Sequence, residues 1–215
     1  MKYKCLVLDH DDTVVNSTAE IHFKAFSQTL KELRPNISLS LEDYFKYNFE
    51  PGFCEFCSNI LQFTDDEMQY QTEKWLQYVN LHVPKAFKGI KEILWNFHND
   101  GGHICVVSHS MRENIIRDYK KNNLPKPELV FGWECPPEKR KPSIWPIEQI
   151  IDNLSLERNE IVMIDDLKPG KIMADKAGID FIGAGWSHSI DEISNFMRKE
   201  CKYYCSSVSQ LEKLL

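Results

Sequence analysis

Five carboxylates of this sequence stand in two tight groups, Asp9-His10-Asp11-Asp12 and Asp165-Asp166, and each group closes an apolar run. Two carboxylates two residues apart suit phosphoryl transfer: one attacks phosphorus, while its neighbour protonates the leaving oxygen and later activates water. Asp9 and Asp11 have that spacing. An isolated Asp-x-Asp is more often a solvated acidic turn, so the reading depends on what other segments bring. Asp165-Asp166 brings like charges that would repel unless a hard cation lay among them. Oxygen ligands beside a phosphate favour Mg2+. Ser108 ends another apolar run, where a hydroxyl and the amides of a helix start could hold a phosphate oxygen, although such a serine alone is usually a helix cap. Lys141-Pro142 follows Pro136-Pro137-Glu138-Lys139-Arg140, a stretch whose plain meaning is a solvated charge run.

These residues must be positioned by the elements that precede them. Strand-like runs occur at 4–8, 103–108, 128–131, 160–164 and 180–183, with helical patterns between most of them, as in a parallel α/β sheet. Cys5-Leu6-Val7-Leu8, Ile104-Cys105-Val106-Val107 and Ile161-Val162-Met163-Ile164 are continuously apolar, as strands covered on both faces should be. Asp9, Ser108 and Asp165 follow those three runs. Open α/β sheets bind ligands beyond the carboxyl ends of their strands, so three distant segments aim polar groups at one place.

From Val15 to Pro84 the pattern is helical throughout. Ser17-Thr18-Ala19-Glu20 reads as a capping box, and Thr64-Asp65-Asp66-Glu67 as another, opening a helix that ends near Asn80. Pro51-Gly52 marks a turn and Val83-Pro84 a return linker. The expected organisation is an α/β core of residues 1–15 and 85–215, carrying a small helical domain of residues 16–84. A helix from about Ser143 to Asn153 follows Lys141, and one or two helices from Ile190 onward complete the core.

A formal charge of −6 and a pI near 5.7, with no basic block, give a nucleic-acid backbone little to bind. A small soluble substrate fits better. The apolar runs are far shorter than the roughly 20 residues that cross a bilayer. The core strand begins directly after Lys2, Tyr3 and Lys4, leaving no room for a signal peptide and implying a cytoplasmic protein. Seven cysteines, with Cys5 and Cys105 inside apolar runs, suit a reducing compartment.

As a set, these segments resemble the four signature motifs of the haloacid dehalogenase (HAD) superfamily, in order and over nearly the whole chain. Asp9-His10-Asp11-Asp12-Thr13 is similar to its Asp-x-Asp-Gly-Thr, Ser108 to its second-motif hydroxyl and Lys141-Pro142 to its third motif. Asp165-Asp166, with the trailing Ala174-Asp175-Lys176-Ala177-Gly178-Ile179, is similar to the fourth. The resemblance implies a Rossmann-like, doubly wound parallel sheet with a C1-type helical cap, and a Mg2+-dependent phosphatase acting on a small phosphorylated metabolite through an aspartyl-phosphate. Asp9 would be nucleophile and metal ligand. Asp11 would be general acid/base, its backbone carbonyl also ligating the metal. Ser108 and Lys141 would bind the phosphoryl group, and Asp166, helped by Asp165, would complete the metal site.

The sequence departs from the family at Asp12, where glycine is usual, and at His109, where asparagine is frequent and where a substrate contact or a helix cap are both open. It lacks the spaced second acid of the fourth motif, Gly170 falling near that place. Asn16 stands where capped relatives often have aspartate. Glu20 and His22 fall where relatives contact substrate or hinge, although exposed helix positions would read the same way.

Three alternatives remain. A β-phosphoglucomutase-type phosphosugar mutase shares the motifs and the cap class, and phosphoglycolate phosphatases resemble the chain equally. A non-catalytic HAD-fold binding protein would have no reason to retain so many clustered charges. A haloacid dehalogenase has no use for Asp11 or a metal. Cys54-Glu55-Phe56-Cys57 has a redox or zinc spacing but no second pair nearby, and its simpler meaning is structural. The five tryptophans are scattered and read as packing.

Overall fold

The computed structural model describes residues 2–215. Six strands form one sheet: β1 (Cys5–Leu8), β2 (His103–Val107), β3 (Leu129–Phe131), β4 (Ile161–Asp165), β5 (Asp180–Ala184) and β6 (Tyr203–Cys205). Their order is β3-β2-β1-β4-β5-β6 and every pairing is parallel. Parallel pairing needs crossovers, and helices supply them on the sheet faces. This is why β1 and β4 can be apolar at every position before their terminal acids.

The chain divides into two compact units, Met1–Asn16 with Lys85–Leu215, and Ser17–Pro84. The second unit comprises a π-helical turn (Thr18–His22), α1 (Phe23–Leu33), α2 (Leu41–Phe49), the short α3 (Phe53–Glu55) running into a second π-helical turn (Phe56–Ile60), and α4 (Asp65–Leu81). Its core gathers Phe26, Leu30, Tyr44, Phe56 and Leu61. The Thr64 capping box forms as the sequence implies: the hydroxyl accepts from Glu67 N, and the Glu67 carboxylate accepts from Thr64 N. Glu67 also takes both Arg34 Nη nitrogens at 2.7 and 2.8 Å, and the Arg34 guanidinium holds its carboxyl down at about 2.

The capping box expected at Ser17 does not form. Ser17 is already helical (φ −82°, ψ −38°), so its hydroxyl lacks the extended geometry that reaches a first-turn amide, and it is buried without a hydrogen bond.

In the first unit follow α5 (Ile90–Asn99), α6 (Arg112–Lys121), α7 (Trp145–Leu154), α8 (Lys168–Ala177), α9 (Asp191–Glu200) and α10 (Val208–Leu211). Ile90, Ile93, Leu94 and Phe97 of α5 bury one face in the core cluster that contains Leu6, Leu8, Ile104 and Val162. Each such side chain contributes on the order of 1.5–3 kcal/mol. Pro169 starts α8 and Gly178 ends it in the left-handed region (φ +67°), the usual asymmetry of helix punctuation.

The helix placed at Ser143 begins two residues later, at Trp145, because Lys141 and Pro142 form a turn that the chain leaves only through a bend at Ile144. After Ile190 the chain forms α9 and α10, and between them the edge strand β6, which the sequence reading left out. Three residues of mixed burial carry too little alternation to register as a strand. No helix among the described residues is long and apolar enough to cross a membrane.

Candidate active site

β1 lies in the middle of the sheet, between β2 and β4, with Leu8 level with Val106 and Ile164. The chain leaves β1 for β2 on one side and reaches β4 on the other, so the segments beyond Leu8, Val107 and β4 meet where the strand order reverses. Asp9 continues the pairing through its amide, which donates to Ile164 O at 2.9 Å.

Lys141 reaches this point from the loop before α7. Its Nζ donates to Asp9 Oδ1 at 2.8 Å and to Asp165 Oδ2 at 2.6 Å, and all three side chains are buried. Burial alone would lower the ammonium, but the Asp165 and Asp9 carboxylates outweigh it and hold Lys141 above the usual lysine value. Asp165 is fully engaged, its Oδ1 accepting from Leu167 N at 2.8 Å. Asp166, 4% exposed, has an Oδ1 with no hydrogen-bond partner.

One carboxylate oxygen each from Asp9, Asp165 and Asp166 lie within 4.8 Å of one another. Burial first, then Asp9, raises Asp165 to about 7 against the pull of Lys141. Burial and the charges of Asp165, Asp12 and Asp9 also raise Asp166 well above its ordinary value. One ammonium cannot neutralise three buried carboxylates. An all-oxygen set with an orphaned buried oxygen is the donor chemistry that suits a hard divalent cation.

Asp11 lies outside that carboxylate group. Its Oδ2 accepts from the Ser110 hydroxyl at 2.5 Å. Ser108 is buried, and its Oγ accepts from Ser110 N at 3.1 Å while its own amide donates to Phe131 O. His109 is more exposed. Its Nε2 lies 3.2 Å from the Lys141 carbonyl, and its ring meets Trp133 edge-on, so the imidazole bridges the segments after β2 and before α7. Burial and the Lys141 ammonium lower its pKa.

Asp12 takes the glycine position by adopting a left-handed backbone, φ +55°, and its amide donates to Val15 O at 2.8 Å. Asn16 N donates to Lys85 O. In the second unit, Glu20 and His22 lie in the π-helical turn, and His22 Nδ1 accepts from Trp75 Nε1 at 2.9 Å. Such turns recur at functional sites.

The sequence reading missed three parts of this arrangement. Ser110 could have been suspected from the polar triplet Ser108-His109-Ser110. Gly170 is required because a β-carbon there would fall 2.1 Å from Asp165 Oδ2, so the start of α8 presses directly on that carboxylate. Asp118, the partner of His10, had no signal: it is one acid on an amphipathic helix.

Comparison with known proteins agrees with this geometry. Residues 6–184 match the family model described as haloacid dehalogenase-like hydrolase. The chain belongs to that family and is accordingly a HAD-like hydrolase. It is 24% identical over 219 residues to "Putative pyrophosphatase PpaX" of Caldanaerobacter subterraneus subsp. tengcongensis, spanning all of this chain and 96% of that protein. Among solved structures it resembles CbbY from Rhodobacter sphaeroides in complex with phosphate (TM-score 0.72, 18% identity, 97% of this chain and 96% of that one). It also resembles a predicted phosphoglycolate phosphatase from Haemophilus somnus 129PT (TM-score 0.75, 16% identity, 100% of this chain and 98% of that one).

Proposed function

We propose that the protein is a Mg2+-dependent phosphatase that hydrolyses a small phosphomonoester through an aspartyl-phosphate on Asp9. The observation that carries the reading is the buried Lys141 bridge between Asp9 and Asp165, with Asp166 Oδ1 left unpartnered beside it. It ties Oδ1 of Asp9 to the Lys141 ammonium, and the other carboxylate oxygen, Oδ2, would attack phosphorus. The P–O bond to the leaving group breaks as the Asp9–P bond forms, and Asp11 gives its proton to the departing oxygen. Asp11 then takes a proton from the water that hydrolyses the acyl phosphate, restoring Asp9. Lys141 neutralises the transferring group, and Ser108 with the neighbouring amides holds its oxygens, His109 standing at the rim. Asp9, Asp166 and the Asp11 carbonyl would hold Mg2+, which supplies charge neutralisation at the phosphoryl group. Asp165, both of whose oxygens are already engaged, serves to fix Lys141.

The second unit, Ser17–Pro84, is proposed as the C1-type cap that selects the substrate, Glu20 and His22 being its candidate contacts. The panel to be tested holds inorganic pyrophosphate and phosphoglycolate, after the names of two of these relatives, and sugar phosphates, after the mutase alternative. Phosphate release should require Mg2+, stop with EDTA and return on adding Mg2+. Asp9→Asn should abolish turnover in a folded protein, because an amide cannot form the acyl phosphate. Normal turnover in folded Asp9→Asn would overturn the reading.

A further inference from the structure

His10 lies between the two acids, yet its side chain turns away from them. It is 1% exposed, and its Nε2 lies 3.2 Å from Asp118 Oδ2 on α6, a residue 3% exposed. A carboxylate oxygen only accepts, so Nε2 carries the hydrogen. The other Asp118 oxygen accepts from Arg117 Nε at 2.7 Å, and the His10 ring stacks on Tyr119 at 6.0 Å between centroids.

The same residue shapes the loop through its backbone. His10 O accepts from both Val14 N at 3.0 Å and Val15 N at 3.1 Å, closing the turn that carries Asp11 and Asp12. One turn beyond Asp118, at the C-cap of α6, Asn122 Oδ1 accepts from Ala86 N at 2.8 Å, and Ala86 pairs with Val15. The last turn of one helix therefore holds the Asp9–Val15 loop directly at His10 and, through Ala86, at Val15. That helix continues directly from Ser108-His109-Ser110, and Ser110 holds Asp11. Burying an imidazole and a carboxylate costs desolvation that an apolar pair would avoid, and such pairs serve direction more than stability.

We propose that His10 and Asp118 are a positioning pair: they fix the Asp9–Asp11 loop to α6, so that both acids keep their alignment with Ser108 and Ser110 during phosphoryl transfer. This rests on the phosphatase reading above.

The test compares wild type, His10→Gln, His10→Met and Asp118→Ala on p-nitrophenyl phosphate at saturating Mg2+, with thermal unfolding of each. A glutamine Nε2 can still donate to Asp118, whereas methionine fills the space without a donor. The expected result is a kcat about tenfold or more lower in His10→Met and Asp118→Ala, KM moving less than about threefold, and His10→Gln recovering to within about threefold of wild type, since small misplacements of reacting groups cost this much. Wild-type kcat in folded His10→Met, or His10→Gln as impaired as His10→Met, overturns the proposal. Failure of both His10→Met and Asp118→Ala to fold also overturns it, because the pair would then serve folding alone. Wild-type protein inactive on every phosphate ester with Mg2+ removes the phosphatase reading and this proposal with it; an active wild type with indifferent variants removes only the pair.

Discussion

Gly170 sits over Asp165 so closely that a β-carbon would lie 2.1 Å from Oδ2, the oxygen that holds Lys141. The clash runs along the whole of a short, fully buried side chain, from Oδ2 through Cγ to Cβ, so nothing can swing aside. Gly170→Ala should push Asp165 off Lys141, at a cost of about 1–3 kcal/mol in stability. Phosphate release should fall at least as sharply as in Lys141→Met. Denaturant unfolding and turnover together check this, and a Gly170→Ala protein with wild-type values of both would show that the helix start can shift without consequence.

The crowded carboxylates make metal-free stability depend on pH. Asp165, raised to about 7, and Asp166, also raised well above its ordinary value, would both titrate near 3.8 when unfolded. Between those values the native protein holds more protons than the unfolded chain, so stability falls as pH rises from about 4 to about 7. Mg2+ bound as proposed would compete with those protons, so its stabilising effect should grow over the same interval. Melting temperatures in EDTA and in Mg2+, at acid and neutral pH, measure both trends. A metal-free Tm that climbs with pH would contradict the charge accounting.

Ser110 donates its hydroxyl hydrogen to Asp11 at 2.5 Å, while its backbone amide and carbonyl are bonded elsewhere and need no hydroxyl. Ser110→Ala should leave the fold intact and lower kcat about tenfold with little change in KM, as expected when a proton-transfer group loses its orientation. Steady-state kinetics with and without the hydroxyl decide it; a change confined to KM would assign Ser110 to substrate binding instead.

Asp12 occupies a left-handed backbone position at φ +55°. Glycine adopts that conformation freely, whereas a β-branched side chain pays roughly 1–2 kcal/mol or more. Asp12→Gly should therefore keep stability within about 1 kcal/mol of wild type and Asp12→Val should lose more than that, both read from chemical denaturation. Equal stabilities for the two would mean that the turn relaxes out of the left-handed region.

The sheet, and the candidate residues that its strand ends bring together, were legible because their signals are local. A continuously apolar run ending in an acid says both that the strand is covered on two faces and where the acid must stand. What stayed hidden depends on contacts between distant segments. Asp118 is one charge among several on α6 until the fold sets it against His10, and Gly170 is only a helix-start glycine until Asp165 lies beneath it. Ser17 shows the reverse case. Its local pattern announced a cap, but helical backbone at that residue leaves the hydroxyl nothing to accept.

β1 is paired on both sides and every one of its side chains is fully buried, while β6 is a three-residue edge. Amide exchange should follow that hierarchy, with β6 and α10 opening readily and β1 exchanging only through global unfolding. Asp9, the proposed nucleophile, thus directly follows the segment that loosens last. Fraying at the C-terminal edge would leave Asp9 anchored, and inactivation on heating would coincide with loss of the whole sheet.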